Sequence, residues 1–211
     1  MNVQKVMWAL GEMGISYERK DVAGSFGLPE AYTRINPNGV VPGIVDGDLT
    51  LWESNACVRY LARTYGQGTL WPTDGIALAH ADQWMDWASS SVNPPFFQIF
   101  MNMIRLPADK ADTTQIEAGV RNCARVLMIL DTHLAHRRYV AGDALTMGDI
   151  PLGAMMYRYF TLDISRPSLP NVERWYEHLV ERDAYRKHVM IPFGHNADQW
   201  LVEEQKNAGI Q

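Results

Sequence analysis

Cysteine is scarce in this chain of 211 residues, which contains only Cys57 and Cys123 and no C-x-x-C pair. This scarcity argues against a disulfide scaffold, a zinc site and a dithiol redox centre. His133 and His136 do not make a metal site either, because they lack cysteine or carboxylate neighbours at ligand spacing. We therefore expect no metal, and a reducing, cytoplasmic location.

Excess positive charge and long apolar runs are also lacking. The formal net charge is −5, whereas nucleic-acid binding leaves a basic footprint, so a nucleic-acid partner is disfavoured. No uncharged apolar stretch reaches the ~20 residues that a membrane-spanning helix needs. The first residues carry no basic region followed by an apolar one, so no secretory signal and no membrane partner are expected.

The composition is that of a globular protein, and the chain divides into two parts. Apolar residues make up 47% and charged residues 20% of the chain, which suffices for one large domain or two small ones. Residues 1–66 mix helical and strand patterns, 67–75 form a linker, and 76–211 show only helical periods. The predicted fold class is therefore α/β followed by all-α.

The first part is predicted to run α-β-α-β-β-α. Residues 2–13 carry apolar side chains at helical spacing, and 16–22 is predicted as a short strand bounded by glycines. Residues 28–35 are a short helix or a turn. In 41–53 two apolar runs flank an Asp-Gly turn, which indicates a hairpin, and a helix over 54–66 follows.

The second part is predicted to be a helical bundle. Its helices are expected over 76–92, after the Pro94-Pro95 pair, and over 113–135, 146–160 and 169–189. Thr146, with Asp149 three residues later, resembles a capping box at a helix start.

Val41-Pro42 is the first stretch that would carry chemistry, since this proline directly precedes a predicted strand. A trans proline on an edge strand is the common case. A cis bond would instead turn the backbone N–H and C=O of Val41 outward, where they would pair with an extended, peptide-like ligand.

Glu53 and Ser54 form the second such stretch, where a strand ends and a helix begins. A helix N-terminus suits a carboxylate, and a neighbouring Glu suits an ammonium group, so the pair would hold an α-amino acid. The alternative is that Ser54 is only an N-cap and Glu53 only a favourable first-turn charge.

These stretches together resemble the cytosolic glutathione transferase family, and its bacterial-type members most. The segment N-P-N-G-V-V-P, the hairpin and E-S-N-A, all within 36–56, are similar to the glutathione-binding half of its thioredoxin-like domain. G-D-A-L-T-M-G-D-I-P-L-G (142–153) is similar to the capping motif of its helical domain, and L-P-N-V-E-R-W-Y-E-H-L (169–179) to a later helix. The resemblance covers the chain from Asn2 to about His195.

The resemblance implies that glutathione is a co-substrate. Val41 would pair with its cysteinyl backbone, Pro42 would be the family's cis-proline, and Glu53 and Ser54 would hold its γ-glutamyl end. Val40 stands where many relatives have Gln or Lys.

A hydrogen bond toward the glycyl carboxylate would then be absent, or a different side chain would supply it. Asn38, Lys20 and Arg34 are the candidates, and the sequence does not choose among them.

In this family a strand precedes the first helix, and the thiol-activating residue follows that strand. Here the strand is absent and the activating hydroxyl would fall immediately before Met1, which leaves Asn2 as the catalytic candidate. We favour a longer natural protein upstream of Met1. The alternatives are an irregular or disordered 14–40 region, with 16–40 poorly ordered or displaced and weak conjugating activity, or a partner chain that fills the gap.

The implied function is conjugation of the glutathione thiolate to a small hydrophobic electrophile, a detoxification reaction carried out by a homodimer. The electrophile pocket would lie between the two parts and include Trp87, Phe97, Phe100 and Met103. The helix with Arg59 and the helix with Trp84 are expected at the dimer interface. The alternatives are a non-catalytic glutathione-binding or scaffold protein of the same fold, and a glutathione-dependent disulfide or peroxide reductase.

Overall fold

The computed structural model describes residues 1–208, and most of this chain is helical. The elements follow in the order α1 (Asn2–Glu12), α2 (Glu30–Thr33), β1 (Gly43–Asp46), β2 (Leu49–Trp52), α3 (Ser54–Tyr65), α4 (Gly75–Trp87), α5 (Asn93–Phe100), α6 (Thr113–Leu134), α7 (Asp149–Thr161), α8 (Pro170–Val180), α9 (Asp183–His188) and α10 (Ala197–Lys206). Two π-helical turns, Ala88–Val92 and Met101–Arg105, extend α4 and α5. None of the helices within 1–208 combines the length and the apolarity needed to cross a bilayer.

The predicted hairpin is confirmed. β1 and β2 pair antiparallel, with Asp46 opposite Leu49 at the turn, and Gly47 supplies the positive φ of 57° that this tight turn requires. The carboxylate of Asp46 accepts hydrogen bonds from Tyr60 at 2.8 Å and Tyr65 at 2.6 Å. These bonds tie the turn to α3, so the hairpin and the helix after it form one unit.

The predicted strand at 16–22 is wrong. Side chains do alternate between half-buried and exposed over 15–20, but the segment has no regular secondary structure. A strand needs a neighbour for its backbone groups, and within 1–208 the sheet contains only β1 and β2. Apart from a 3₁₀ turn at Gly24–Phe26 and the short α2, the region 14–40 is irregular, as one of the three alternatives expected.

The helical second part differs from expectation in two places. The predicted helix over 169–189 is two helices, α8 and α9, with a break at Glu181 and Arg182. Helix α10 was not expected. Pro94 and Pro95 lie in the first turn of α5, where the N–H that proline lacks is not needed within the helix.

The predicted capping box at the start of α7 is confirmed only in part: Asp149 binds back to Thr146, but the N-cap is Gly148 and the Thr146 hydroxyl accepts from its N–H. Asp149 Oδ2 accepts hydrogen bonds from the backbone N–H of Thr146 at 2.9 Å and from its hydroxyl at 3.2 Å. Asp149 Oδ1 accepts from the N–H of Val140 at 3.0 Å and from Trp175 Nε1 at 2.9 Å. Burial raises the pKa of Asp149 to about 6, and these hydrogen bonds act in the opposite direction. One buried carboxyl group thus joins the start of α7 to α8.

Helix α1 lies between the two parts of the chain and packs against α3 on one side and α7 and α9 on the other. Its Trp8 is fully buried and makes an edge-to-face contact with Tyr185, with 4.9 Å between ring centroids. The guanidinium of Arg182 donates two hydrogen bonds to Glu12 at the end of α1, at 2.8 and 2.5 Å. Through α1 the hairpin half and the helical half share one hydrophobic core.

Candidate functional site

The Val41-Pro42 peptide bond is cis, as the resemblance implies. Val41 is half-buried, Pro42 is buried, and β1 begins at the next residue. The carbonyl of Val40 is fixed by two donors, Tyr32 Oη at 2.9 Å and Asn36 Nδ2 at 2.6 Å. The backbone before β1 is therefore held in place by one side chain of α2 and one of the loop that follows it.

Glu53 and Ser54 stand at the start of α3. The interpretation of Ser54 as the N-cap is wrong: Glu53 is the N-cap, with a φ of 68°, and Ser54 is the first helical residue. Of the side chains in residues 1–208, none caps this helix, so its first N–H groups are left for another acceptor. Glu53 is exposed and Ser54 is buried, which places the carboxylate outward beside the helix start.

Asn2 and Lys5, from the first turns of α1, meet Ser54 at this helix start. The hydroxyl of Ser54 donates to Asn2 Oδ1 at 3.3 Å. Lys5 Nζ donates to Ser54 Oγ at 3.4 Å and to Asn55 Oδ1 at 3.2 Å. Residues 2 and 5 share one face of α1, because positions three apart are neighbours on a helix.

Lys5 is a site residue that the sequence analysis did not name. Its side chain is buried in the contact between α1 and α3. Burial lowers the pKa of Lys5 to about 8, while the charge of Glu53 acts to raise it. No local signal marked Lys5, because α1 also carries the polar residues Asn2, Gln4 and Glu12. The burial of Lys5 depends on a contact 49 positions along the chain.

Asn38 lies in the same loop as Val40 and is exposed. Its backbone N–H and its Nδ2 both donate to Asn36 Oδ1, at 3.0 and 3.1 Å. Lys20 pairs with Glu18 at 3.5 Å on the surface. Which of Asn38, Lys20 and Arg34 would hold a glycyl carboxylate thus stays a prediction.

The four residues predicted for the electrophile pocket have different surroundings. Phe100 is buried in an aromatic cluster and Met103 is half-buried, packed against the core. Trp87 packs edge-to-face on Trp84 at 4.8 Å and lines a cleft of about 520 Å³ between α5 and α6. Phe97 is 51% exposed. The structure therefore places Phe100 and Phe97 in different surroundings, although both belong to α5.

Neither cysteine offers a reactive thiol. Cys57 and Cys123 are free and fully buried, and burial raises the pKa of each thiol to about 12. Among the residues described, no group of three or more His, Cys, Asp or Glu side chains could hold a metal ion. The chemistry of this site therefore depends on ligands that its backbone and helix start would bind.

A ligand that paired with Val41 and ended at Ser54 would be extended there, and the free N–H groups at the start of α3 would suit a terminal carboxylate. The exposed carboxylate of Glu53 beside that end matches an ammonium group on the same carbon. This arrangement suits a small peptide-like ligand held through an α-amino acid end beside a helical domain, and these ligand contacts stay a prediction.

Comparison with known proteins gives the family. The family model "Glutathione S-transferase, N-terminal domain" matches residues 2–64, and "Glutathione S-transferase, C-terminal domain" matches 80–183. The chain is 39% identical over 195 residues to Glutathione S-transferase GstB of Escherichia coli (strain K12), covering 90% of this chain and 94% of that protein. It is 31% identical over 199 residues to Glutathione S-transferase 3 of Zea mays, and the match covers 89% of this chain and 88% of that protein.

A solved structure agrees with these sequence matches. The theta class glutathione S-transferase of Xanthomonas axonopodis pv. citri, crystallised with glutathione bound, superposes with a TM-score of 0.87 at 40% identity, covering 92% of this chain and 94% of that one. The chain belongs to the glutathione S-transferase family, a class of transferase enzymes that conjugate glutathione. Its fold is a thioredoxin-like N-terminal domain followed by a helical C-terminal domain.

Proposed function

We propose that this chain binds glutathione along Val41 and Pro42 and at the start of α3, and transfers its thiolate to a small hydrophobic electrophile. The meeting of Asn2, Lys5 and Ser54 at an uncapped helix start carries the proposal, because it supplies donors and positive charge at one point. The γ-glutamyl carboxylate is bound by Ser54 and the first N–H groups of α3. Its ammonium group is bound by Glu53.

The chemical step begins with loss of the thiol proton to solvent. A free thiol has a pKa of about 8.5, and a hydrogen bond donated to the thiolate lowers it. The NH₂ group of Asn2 is the donor, because its Oδ1 can only accept. In the structure the Ser54 hydroxyl donates to this Oδ1, and in the complex it turns to donate to the γ-glutamyl carboxylate. The sulfur then forms a bond to the electrophilic carbon, and the leaving group departs with its electron pair.

Calorimetric titration with glutathione tests the binding half of this proposal. Ser54→Ala and Glu53→Gln should each weaken binding about tenfold or more, because each removes a partner of a charged group. Ser90→Ala, an exposed serine of the π-helical turn after α4, is the matched control and should bind as the wild type does. Unchanged affinity in both site variants would exclude this glutathione site.

Turnover separates an enzyme from a binding protein of the same fold. An aromatic halide conjugated by the wild type, and conjugated more slowly by Asn2→Ala at unchanged glutathione affinity, supports the catalytic role of Asn2. Retention on immobilised glutathione without turnover supports the non-catalytic alternative. Turnover that is unaffected in Asn2→Ala removes Asn2 from the chemistry.

We also propose a cytoplasmic homodimer that serves in detoxification. Arg59 of α3 donates to Asp82 at 2.6 Å and also pairs with Asp86, so α3 and α4 present one joined surface. This surface contains both helices expected at the interface. Light scattering should give about twice the chain mass of 23.9 kDa, and a monomer at micromolar concentration would contradict the dimer.

A further inference from the structure

Arg158 of α7 is a buried cation with no acidic partner in the described chain. It is 3% exposed, its Nη1 donates to Gln4 Oε1, and its Nε has no hydrogen-bond partner. The ion pairs found within residues 1–208 do not include it. A buried guanidinium without a counter-ion is unfavourable, so the placement of Arg158 requires an explanation.

A second unpartnered donor lies in the same aromatic cluster. Arg158 Cζ lies 5.5 Å from the ring centroid of Phe100 and 5.4 Å from that of Phe193. Trp200 of α10 packs edge-to-face on Phe100 at 5.6 Å, and its buried Nε1 has no partner either. Arg105 Cζ stands 4.4 Å from the ring centroid of Trp200.

The cluster therefore combines two guanidinium groups, two unpartnered N–H donors and three aromatic rings. The rings attract the cations through their faces but cannot accept the N–H bonds in the plane of the guanidinium. What the cluster lacks is a negatively charged oxygen acceptor.

This cluster lies beside the start of α1, next to the proposed glutathione site. Gln4, which accepts from Arg158, follows Asn2 by two positions in the first turn. Arg158, Lys5 and Arg105 all help to lower the pKa of the Met1 amino group, after burial as the main cause, so the three cations converge there. The thiol that Asn2 would face is therefore flanked by Lys5 on the α3 side and by Arg158 on the α7 side.

We propose that Arg158 and Arg105 form an anion subsite, and that the second substrate is an acidic electrophile: an apolar body carrying a carboxylate. This proposal rests on the proposed function. The body packs against Trp200, the partly exposed ring of the cluster, and the carboxylate accepts from the two arginines. In the reaction the glutathione sulfur bonds to the electrophilic carbon, a halide leaves with its electron pair, and the thiol proton passes to solvent.

Two product analogues of matched shape test the subsite by calorimetry: S-(4-carboxybenzyl)glutathione and S-(4-methylbenzyl)glutathione. The wild type should bind the carboxylate roughly tenfold more tightly, the range of one charge-assisted hydrogen bond. The preference should decrease at high salt. Arg158→Met and Arg105→Gln should each reduce it toward equal binding, and Arg158→Lys should keep most of it.

Arg105 is exposed, so Arg105→Gln tests the subsite even where Arg158→Met fails to fold. Arg63→Gln, an exposed arginine of α3, is the matched control and should keep the full preference. Equal binding of the two analogues by the wild type, or a preference that survives Arg105→Gln and Arg158→Met, overturns the anion subsite and leaves glutathione binding intact. Failure of both analogues to bind the wild type overturns the proposed function and this inference together.

Discussion

Lys5 carries an ammonium group where water barely reaches, and this affects stability as well as the site. Burial holds its pKa at about 8 in the folded chain, against 10.5 for the ordinary side chain. Between these values the unfolded chain binds the proton and the folded chain does not. The free energy of unfolding contributed by Lys5 therefore rises as the pH goes from about 8 to 10.5, and below about 8 the cost of burying the charged group is fully present.

Replacing Lys5 by methionine should remove this pH dependence. Relative to Lys5→Met, the wild type should gain roughly 2 kcal/mol of stability between pH 7 and pH 10, measured by urea unfolding at both pH values. Lys110 is an exposed lysine in the 3₁₀ turn Ala108–Lys110. The free energy of unfolding of Lys110→Met should change with pH as that of the wild type does. If the free energies of unfolding of the wild type and of Lys5→Met changed equally between the two pH values, Lys5 would have an ordinary pKa.

Residues whose role depends on their near neighbours could be predicted from the sequence. Local patterns singled out Val41-Pro42 and Glu53-Ser54, since they are a proline before a strand and a polar pair at a helix start, but the cis bond and the glutathione contacts were expected only from the family resemblance. Lys5 and Arg158 were not, because their burial comes from α3 and from the cluster around Phe100, which lie far along the chain. Nothing in their immediate sequence distinguishes them from surface cations.

At the scale of elements, the crossing of α1 and α7 has room for a glycine only. A Cβ at Gly153 would come within 2.7 Å of the Trp8 ring and 2.8 Å of Leu179 Cδ1. Gly153→Ala should therefore destabilise the chain by about 1–3 kcal/mol in urea unfolding, although alanine alone favours a helix by about 1 kcal/mol.

Gly75→Ala, at the first residue of α4, is the matched control for this crossing. A Cβ there meets no atom within 4 Å, so the variant should be as stable as the wild type or more so. Equal stability of both glycine variants would mean that α1 and α7 move apart at little cost.

Elements differed in how well they could be predicted. The hairpin could be predicted from its Asp-Gly turn, and α6 from apolar residues that repeat every 3.6 positions over a long segment. Both signals are local. The prediction of a strand over 16–22 rested on the glycines that bound it, and it failed because a strand also needs a neighbour with which to pair. The division of 169–189 into α8 and α9 has no glycine or proline at Glu181 and Arg182 to mark it.

At the scale of the whole molecule, α1 makes the two halves interdependent. Trp8 of the N-terminal half fills space between α7 and α9 of the helical half, and Arg182 donates a hydrogen bond to Glu12. We expect α3 and α6 to lose their hydrogen-exchange protection together as denaturant is added.

Trp8→Ala should lower the protection of both helices by about 3–5 kcal/mol, because a large buried ring is lost. Leu127→Ala changes a buried residue of α6 that is remote from α1 in sequence, and it serves as the comparison. This variant should also lower the hydrogen-exchange protection of both helices. Loss of protection in α3 at lower denaturant than in α6 would show that the halves unfold separately.

The burial of both cysteines has a consequence for a protein that handles thiol-seeking reagents. Cys57 and Cys123 are the two cysteines of the sequence, and at neutral pH both thiols are protonated and enclosed. Thiolate is the form that attacks alkylating agents and disulfides. Neither protein thiol is therefore placed to be alkylated or to form a mixed disulfide with oxidised glutathione, and a bound glutathione would be the sulfur nucleophile that an electrophile meets.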